Sequence, residues 1–468
     1  EGMRREGTLT RAVLGTGAGP GGAALRRQYI GQALKALIMH EVGHTLGLRH
    51  NFRGSAGVTK AQLTDRKYTG VNGLAVSVMD YSPAALSLDS RKQGDYHSTT
   101  IGSYDRWAIR YGYSVLGSRQ LAANAKGSAA AEPGWTPEAE VNALRSVAAE
   151  AAKPSHLFGT DEDAGFGAFG LDPTVSRYDQ TSDPLEWARD RVTLINGLFD
   201  SLDTRMVAPG EGYSRLRDAF TDLLNDRWYA ILVTTKYLGG ATTARDHRGD
   251  PSARPALVTV PAARQREALV FLTEAGFGET AYRFRPELLI RLGPDRWRHW
   301  GSNPGTRGRI DFPLHSWAMA QQSALLGQVL DPVVLSRIRD AELRAVEGEP
   351  TVTIPELFTT LTRAIWAEAY PGAPRVGPRN ISSVRRDLQR LYLNRLIQMI
   401  VSPLPETPED ARTLARSALA DLGGELDRSL LRRGVGLDPY TKAHLVDSKE
   451  RITQALNAQL IQTAEKAR

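Results

Sequence analysis

The feature that most constrains this chain is the stretch His40-Glu41-Val42-Gly43-His44-Thr45-Leu46-Gly47-Leu48-Arg49-His50. On a helix, residues four apart lie on the same face, so His40 and His44 present two imidazoles to one point in space. Gly47 stands three residues after His44, where a helix that must stop and reverse needs a residue tolerant of positive φ. The turn it allows brings His50 back as a third nitrogen. Three neutral imidazoles leave one tetrahedral position for water, the arrangement of a catalytic rather than a structural zinc. Glu41, beside His40, is placed to act as a base. A lone histidine on an apolar helix face is ordinarily a satisfied core residue, but that reading leaves the ordered series of His, Glu, Gly and His unexplained.

The pattern H-E-x-x-H-x-x-G-x-x-H followed by a methionine turn resembles the metzincin metallopeptidases. The second half of the pattern is Ser77-Val78-Met79-Asp80-Tyr81. More narrowly, His40 to Phe52, SVMDY and Ile101 to Tyr113 (IGSYDRWAIRYGY) are similar to a bacterial family of zinc-dependent metalloproteases, the Met-zincins. Weaker likeness continues through GTDEDAGFG and LDPTVSRYDQTSDP. The resemblance implies a mainly α fold: a zinc helix and Met-turn forming a lower subdomain, then a large helical region with few short strands. It implies zinc on His40, His44 and His50, with Met79 as an apolar floor that does not ligate the metal. It also implies that Tyr81 serves the metal or the developing oxyanion, and that the substrate is a peptide or protein.

Zinc held by three neutral imidazoles lowers the pKa of its bound water towards about 7, and Glu41 would take that water's proton and return it to the leaving amine. Two alternatives stay open at this stage: a catalytically inactive zinc-bearing interaction module, and a metallohydrolase acting on a non-peptide amide. A purely binding module would need neither Glu41 nor an open fourth position.

Composition narrows the rest. With 468 residues, 41% hydrophobic and 24% charged, the chain is an ordinary globular sequence long enough for two or three domains. The net charge of +7 and pI near 9.5 come from basic residues scattered among acids, which reads as a solvated surface and excludes nucleic acid as a partner. Charges interrupt every apolar run short of the roughly 20 residues a spanning helix needs, so no transmembrane segment is expected. The absence of cysteine excludes disulfides, thiolate ligands and a cysteine nucleophile, leaving nitrogen and oxygen to hold a metal. No signal-peptide pattern follows Glu1, and the family resemblance implies a periplasmic or extracellular protein whose signal lies upstream.

Along the chain, Leu9 to Leu14 reads as a short strand. Gly17, Gly19 and Gly22 match G-x-G-x-x-G, but Pro20 lies inside the match and the next helix leads to the histidines, so residues 15–22 read as a linker. From Ala24 to Leu48, Ile30, Leu34, Leu37 and Leu48 follow helical spacing, with Glu41 and His44 between them, and read as one packed face. His97 reads as a surface or cleft residue, not a ligand. The acids Asp161, Glu162, Asp163, Asp172, Asp179 and Asp183 lack EF-hand spacing and read as a loop of caps and turns; the functional alternative is that Asp161 to Asp163 borders the cleft and reads a basic or amino-terminal substrate group. Asp183-Pro184-Leu185-Glu186 opens a helix, and helical periodicity then dominates to the end, interrupted by one short strand at Leu257 to Val260. These signals divide the chain into residues 1–118 (zinc-binding region), 119–155 (linker and helix), 156–345 (helical region completing the Met-zincin domain) and 346–468 (C-terminal helices).

In metzincins a sheet preceding the zinc helix forms the upper wall of the cleft. Fewer than forty residues precede His40 here, and the zinc helix with its glycine loop uses most of them. The expectation is therefore that this chain is the C-terminal part of a longer protein, and that the upstream segment is a partner needed for efficient cleavage.

Overall fold

The computed structural model describes residues 2–15, 20–114, 137–250, 253–294, 309–372, 380–433 and 436–458. The described chain is mainly helical, and its only strands are Ala241–Thr243 and Leu257–Thr259, which pair with each other. It divides into two compact units, each drawn from three stretches. The first comprises Glu1–Gly165, Thr174–Asp190 and Thr242–Val258; the second comprises Phe166–Pro173, Arg191–Ala241 and Thr259–Arg468.

The first unit carries the histidine motif. Its helices are α1 (Gly2–Leu14), α2 (Pro20–Thr45), two short turns α3 (Lys60–Leu63) and α4 (Arg66–Asn72), α5 (Ser103–Tyr113) and α6 (Pro137–Ala149). Between them runs irregular chain held by side-chain caps: Thr59 caps α3 and Asp65 caps α4. Val58, Leu63, Leu74, Val76, Ala85 and Tyr104 form one apolar cluster, against which Trp107 and Phe158 pack. A second, smaller cluster of Phe52, Ala164 and Val175 lies against Tyr81. The first cluster fixes α5 on the chain that leads into Ser77-Val78-Met79; the second fixes the chain that leaves it.

Leu9 to Leu14, expected as a strand, is helical. Glu6, Leu9, Thr10 and Ala12 are the buried positions of α1, at intervals near one helical turn. Six residues of mixed Thr, Val and Leu cannot be told apart as strand or helix by periodicity, and burial of one face decided for the helix. Accordingly, no described residue before His40 belongs to a strand.

The single packed face expected of the zinc helix also differs. Ala33, Ala36 and Leu37 face a pocket, whereas Ile30 and Leu34 are each 54% exposed and Ile38 is 62% exposed. With Val42 and Leu46 they form a ridge at intervals of four residues, about 24 Å long at 1.5 Å per residue. The helix is apolar around most of its girth, and the first unit covers only part of it.

The second unit is a helical assembly in which Ser383–Val401 packs against Leu314–Val329, Glu409–Arg433 and Pro439–Asn457. The helices begin where the sequence places prolines and caps, as at Asp331 before Pro332 and Asp438 before Pro439. Phe284 lies edge-to-face with Phe199 and Phe220, Phe220 does so with Phe312, and Phe199 and Phe220 are tilted against each other. The unit also buries Arg385, whose guanidinium meets Glu368 at 2.7 Å. His444 is buried there too, with its ring stacked on Trp366 and Nε2 2.7 Å from Gln389 Oε1.

Candidate metal centre

The turn after α2 has the geometry that two orphan carbonyls require. Leu48 N–H donates to Gly43 O and Gly47 N–H to His44 O, both at 3.0 Å, with Gly47 at φ 80°. This helix stop also orients a histidine, because Leu48 O accepts from His44 Nδ1 at 2.9 Å. His50 follows, and the chain is pinned beyond it by Asn51 N–H to Met79 O at 3.0 Å and Phe52 N–H to Gly159 O at 2.7 Å.

His40, His44 and His50 come together, with one ring nitrogen from each lying within 4.8 Å of the others. Each ring has its Nδ1 tied. His40 donates to Val78 O at 2.7 Å, His44 to Leu48 O, and His50 to Asp161 Oδ2 at 2.9 Å. Donation through Nδ1 fixes the tautomer and leaves the Nε2 lone pair for a metal. Burial, with smaller contributions from His44 and His50, lowers the pKa of His40, which keeps it neutral and able to ligate. The donor set of three convergent imidazoles therefore fits a borderline divalent ion such as zinc. Among the described residues no other group of three or more His, Asp or Glu side chains is so gathered.

Met79 is fully buried, and a Cβ built on Gly43 would lie 2.3 Å from its Sδ, so the sulfur occupies the space directly against α2. The turn Ser77 to Tyr81 is held by Asp105. That carboxylate accepts from Ser77 Oγ at 2.7 Å, Val78 N–H at 2.9 Å and Gly102 N–H at 2.8 Å. Asp105 thus fixes the backbone N–H of Val78, the residue whose carbonyl orients His40. Gly102 has no room for a side chain, since a Cβ there would fall 1.9 Å from Val76 O.

Tyr81 lies with its hydroxyl 2.9 Å from His50 Nε2, beside the ring edges of Phe52 and Tyr178. Burial, assisted by Tyr178, raises its pKa, so it remains a donor. Glu41 is exposed and lines a cavity of about 430 Å³ together with His40, Val78 and Tyr81. His97 lines the same cavity and stays outside the histidine group; its ring packs on Tyr29, and burial lowers its pKa to about 4.

The acidic segment is spent on structure. Asp161 holds His50 and takes Arg177 at 3.0 Å on its other oxygen; Glu162 pairs with Arg49 at 2.8 Å; Asp163 pairs with Arg245 at 2.6 Å and accepts from Thr160 N–H. Asp179 accepts from Ser55 Oγ, and Asp183 accepts from Glu186 N–H at the start of the next helix. Asp161, Glu162 and Asp163 are thus each paired with an arginine.

The family model described as Met-zincin matches residues 22–372, well over half of the chain. The chain belongs to the Met-zincin family. Both clusters and every residue of the metal centre fall inside the match. No curated protein and no solved structure matches the chain. Two residues of this Met-zincin centre escaped sequence reasoning. Asp105 lies within Ile101 to Tyr113, where its position three residues after Gly102 marks a helix start. Asp161 was visible only as one acid among several, because its partner is more than a hundred residues away.

Proposed function

We propose that this chain is a zinc-dependent metallopeptidase that hydrolyses peptide bonds, with His40, His44 and His50 as ligands and Glu41 as general base. The observation that carries this reading is the convergence of three imidazoles with every Nδ1 committed to an acceptor. Binding zinc there supplies a Lewis acid that makes water nucleophilic near neutral pH. Glu41, on the cavity wall beside His40, takes the water's proton and returns it to the leaving amine. Tyr81, kept protonated by its surroundings, lies 2.9 Å from His50 Nε2; a metal on that nitrogen would displace the contact and leave the hydroxyl to donate to the developing oxyanion. Met79 acts as a floor through its contact with α2 at Gly43.

The exposed ridge Ile30, Leu34, Ile38, Val42 and Leu46 supports a covering partner, since a contiguous apolar face of this length is ordinarily buried. We assign that role to a segment of the same protein upstream of α2. On family resemblance, the protein acts in the periplasm or outside the cell. No described helix is long and apolar enough to cross a membrane.

The test is metal analysis joined to a peptide-library digest before and after chelation. The reading expects one zinc per chain, cleavage that chelation abolishes, and recovery when zinc is restored. Stoichiometric zinc without cleavage of any peptide or amide would favour the inactive module; cleavage of small amides but no peptide would favour the other alternative.

A further inference from the structure

One imidazole lining the cavity beside the metal centre has no role in the proposed proton transfer. His97 ends the segment Asp95-Tyr96-His97, which is strapped to α2 by both ends of one amide. Gln32 Nε2 donates to Asp95 Oδ1 at 2.7 Å, and Gln32 Oε1 accepts from Tyr96 N–H at 2.7 Å and His97 N–H at 3.3 Å. Thr69 Oγ1 donates to the other Asp95 oxygen at 2.8 Å. Gln32 precedes His40 on α2 by a little over two helical turns, so the helix that carries two of the ligands also sets the place of His97. The His97 ring packs on Tyr29 at 5.0 Å, and the residue lines the cavity with His40, Glu41 and Tyr81.

The ring is largely withdrawn from solvent, yet its polar atoms are unspent. The two buried imidazoles of the first unit, His40 and His156, each commit Nδ1 to a backbone carbonyl, at 2.7 and 2.9 Å. His97 Nε2 is buried with no hydrogen-bond partner among the described residues, which leaves Nδ1 to meet a ligand in the cavity. A polar group so placed ordinarily has a partner, because without one it forfeits its hydration for nothing. Burial also lowers the pKa of His97 to about 4, so at neutral pH the ring is an uncharged donor and acceptor. Such a ring matches a neutral dipole and supplies no counter-charge to an ionised group. The neutral dipole that every peptide substrate carries is the peptide group.

We infer that His97 is a substrate-binding residue of this cavity, hydrogen-bonding through Nδ1 to a peptide group of the substrate beyond the scissile bond. The inference rests on the metallopeptidase reading of the same site and adds a contact that reads the substrate's backbone.

The test measures binding, not turnover. Three hydroxamates are titrated by calorimetry into the zinc-loaded protein. Acetohydroxamate offers the metal-binding group alone; N-acetylglycine hydroxamate and the N-methylamide of succinyl hydroxamate each add one peptide group, running to opposite sides of the metal. At least one of the extended pair should bind more tightly than acetohydroxamate. His97→Phe, which keeps a ring on Tyr29, should lower that affinity on the order of tenfold and leave acetohydroxamate unchanged. His97→Asn returns a polar atom to the position of Nδ1 and should recover part of the loss. In the unaltered protein the ring nitrogen resonances of His97 should move with the extended hydroxamate and stay still with acetohydroxamate, a readout independent of how well a variant folds. Extended hydroxamates no tighter than acetohydroxamate, an extended affinity unchanged by His97→Phe, a loss shared equally by acetohydroxamate, or unmoved resonances would each overturn the inference while leaving the metallopeptidase reading standing. Failure of all three to bind zinc-loaded protein overturns both.

Discussion

Removing the Asp161 carboxylate tests whether the third ligand is held from behind. Asp161 Oδ2 accepts from His50 Nδ1 at 2.9 Å, while Arg177 holds the other oxygen at 3.0 Å and lies over the Phe52 ring. Burial works against the Asp161 charge, but the hydrogen bonds from His50 and Arg177 outweigh it and lower its pKa, so the ring nitrogen faces an anion. Loss of such a partner weakens metal binding by about 10- to 100-fold, or about 1.4 to 2.7 kcal/mol. The Asp161 side chain is 41% exposed, so water replaces part of what is lost, and Asp161→Ala should sit near the tenfold end. Asp161→Asn keeps a neutral acceptor and should fall between it and the unaltered protein. Competition against a chromophoric zinc chelator at neutral pH measures all three. Identical zinc affinities would refute the proposal that this contact orients His50.

Three further outcomes follow from single contacts. Gly43→Ala drives a methyl into Met79 Sδ and should cost about 1 to 3 kcal/mol in thermal or urea unfolding, whereas Gly31→Ala, on the same helix but facing open space, should be neutral or slightly stabilising; equal effects would contradict the packing of the Met-turn on α2. Tyr81→Phe retains the ring contacts and should lower turnover by up to roughly 10²-fold with zinc affinity little changed; an unaltered turnover number would remove the hydroxyl from the mechanism. His444 has its pKa lowered to about 3, first by burial and then by Arg390, Arg386 and Arg451. Its folded pKa lies below the unfolded value of 6.5, so the unfolded chain takes the proton first: stability is intact above pH 6.5 and falls as pH drops towards 3, by on the order of 5 kcal/mol in all. His444→Gln should flatten that limb in denaturation series, and an unchanged acid limb would show that other groups carry it.

The gathering of the three histidines was legible because its information is local. His40, His44, Gly47 and His50 sit within a dozen residues, and the helix stop that returns His50 is encoded by one glycine at φ 80°. The helices of the second unit were legible for the same reason, since their starts carry caps and prolines, as at Asp331-Pro332 and Asp438-Pro439. Long-range partners were not. Nothing in the order of residues ties Asp161 to His50, Asp105 to the Met-turn, or Glu6 to Ala84, because each pairing is fixed only when distant segments pack. The same limit applies to α1, where six ambiguous residues took their conformation from the surface they bury, and to units assembled from three separated stretches. The ridge on α2 shows the converse: its spacing was visible in sequence, but which face the first unit covers was not.

The most direct test of the account is peptide hydrolysis by the unaltered protein and by Glu41→Ala at equal, measured zinc content. Glu41 lies on the cavity wall and is not among the three gathered ligands. The account predicts that Glu41→Ala retains one zinc per chain and loses nearly all turnover, whereas His50→Ala loses the metal itself. Wild-type peptidase activity in zinc-replete Glu41→Ala would contradict the mechanism even with the metal centre intact.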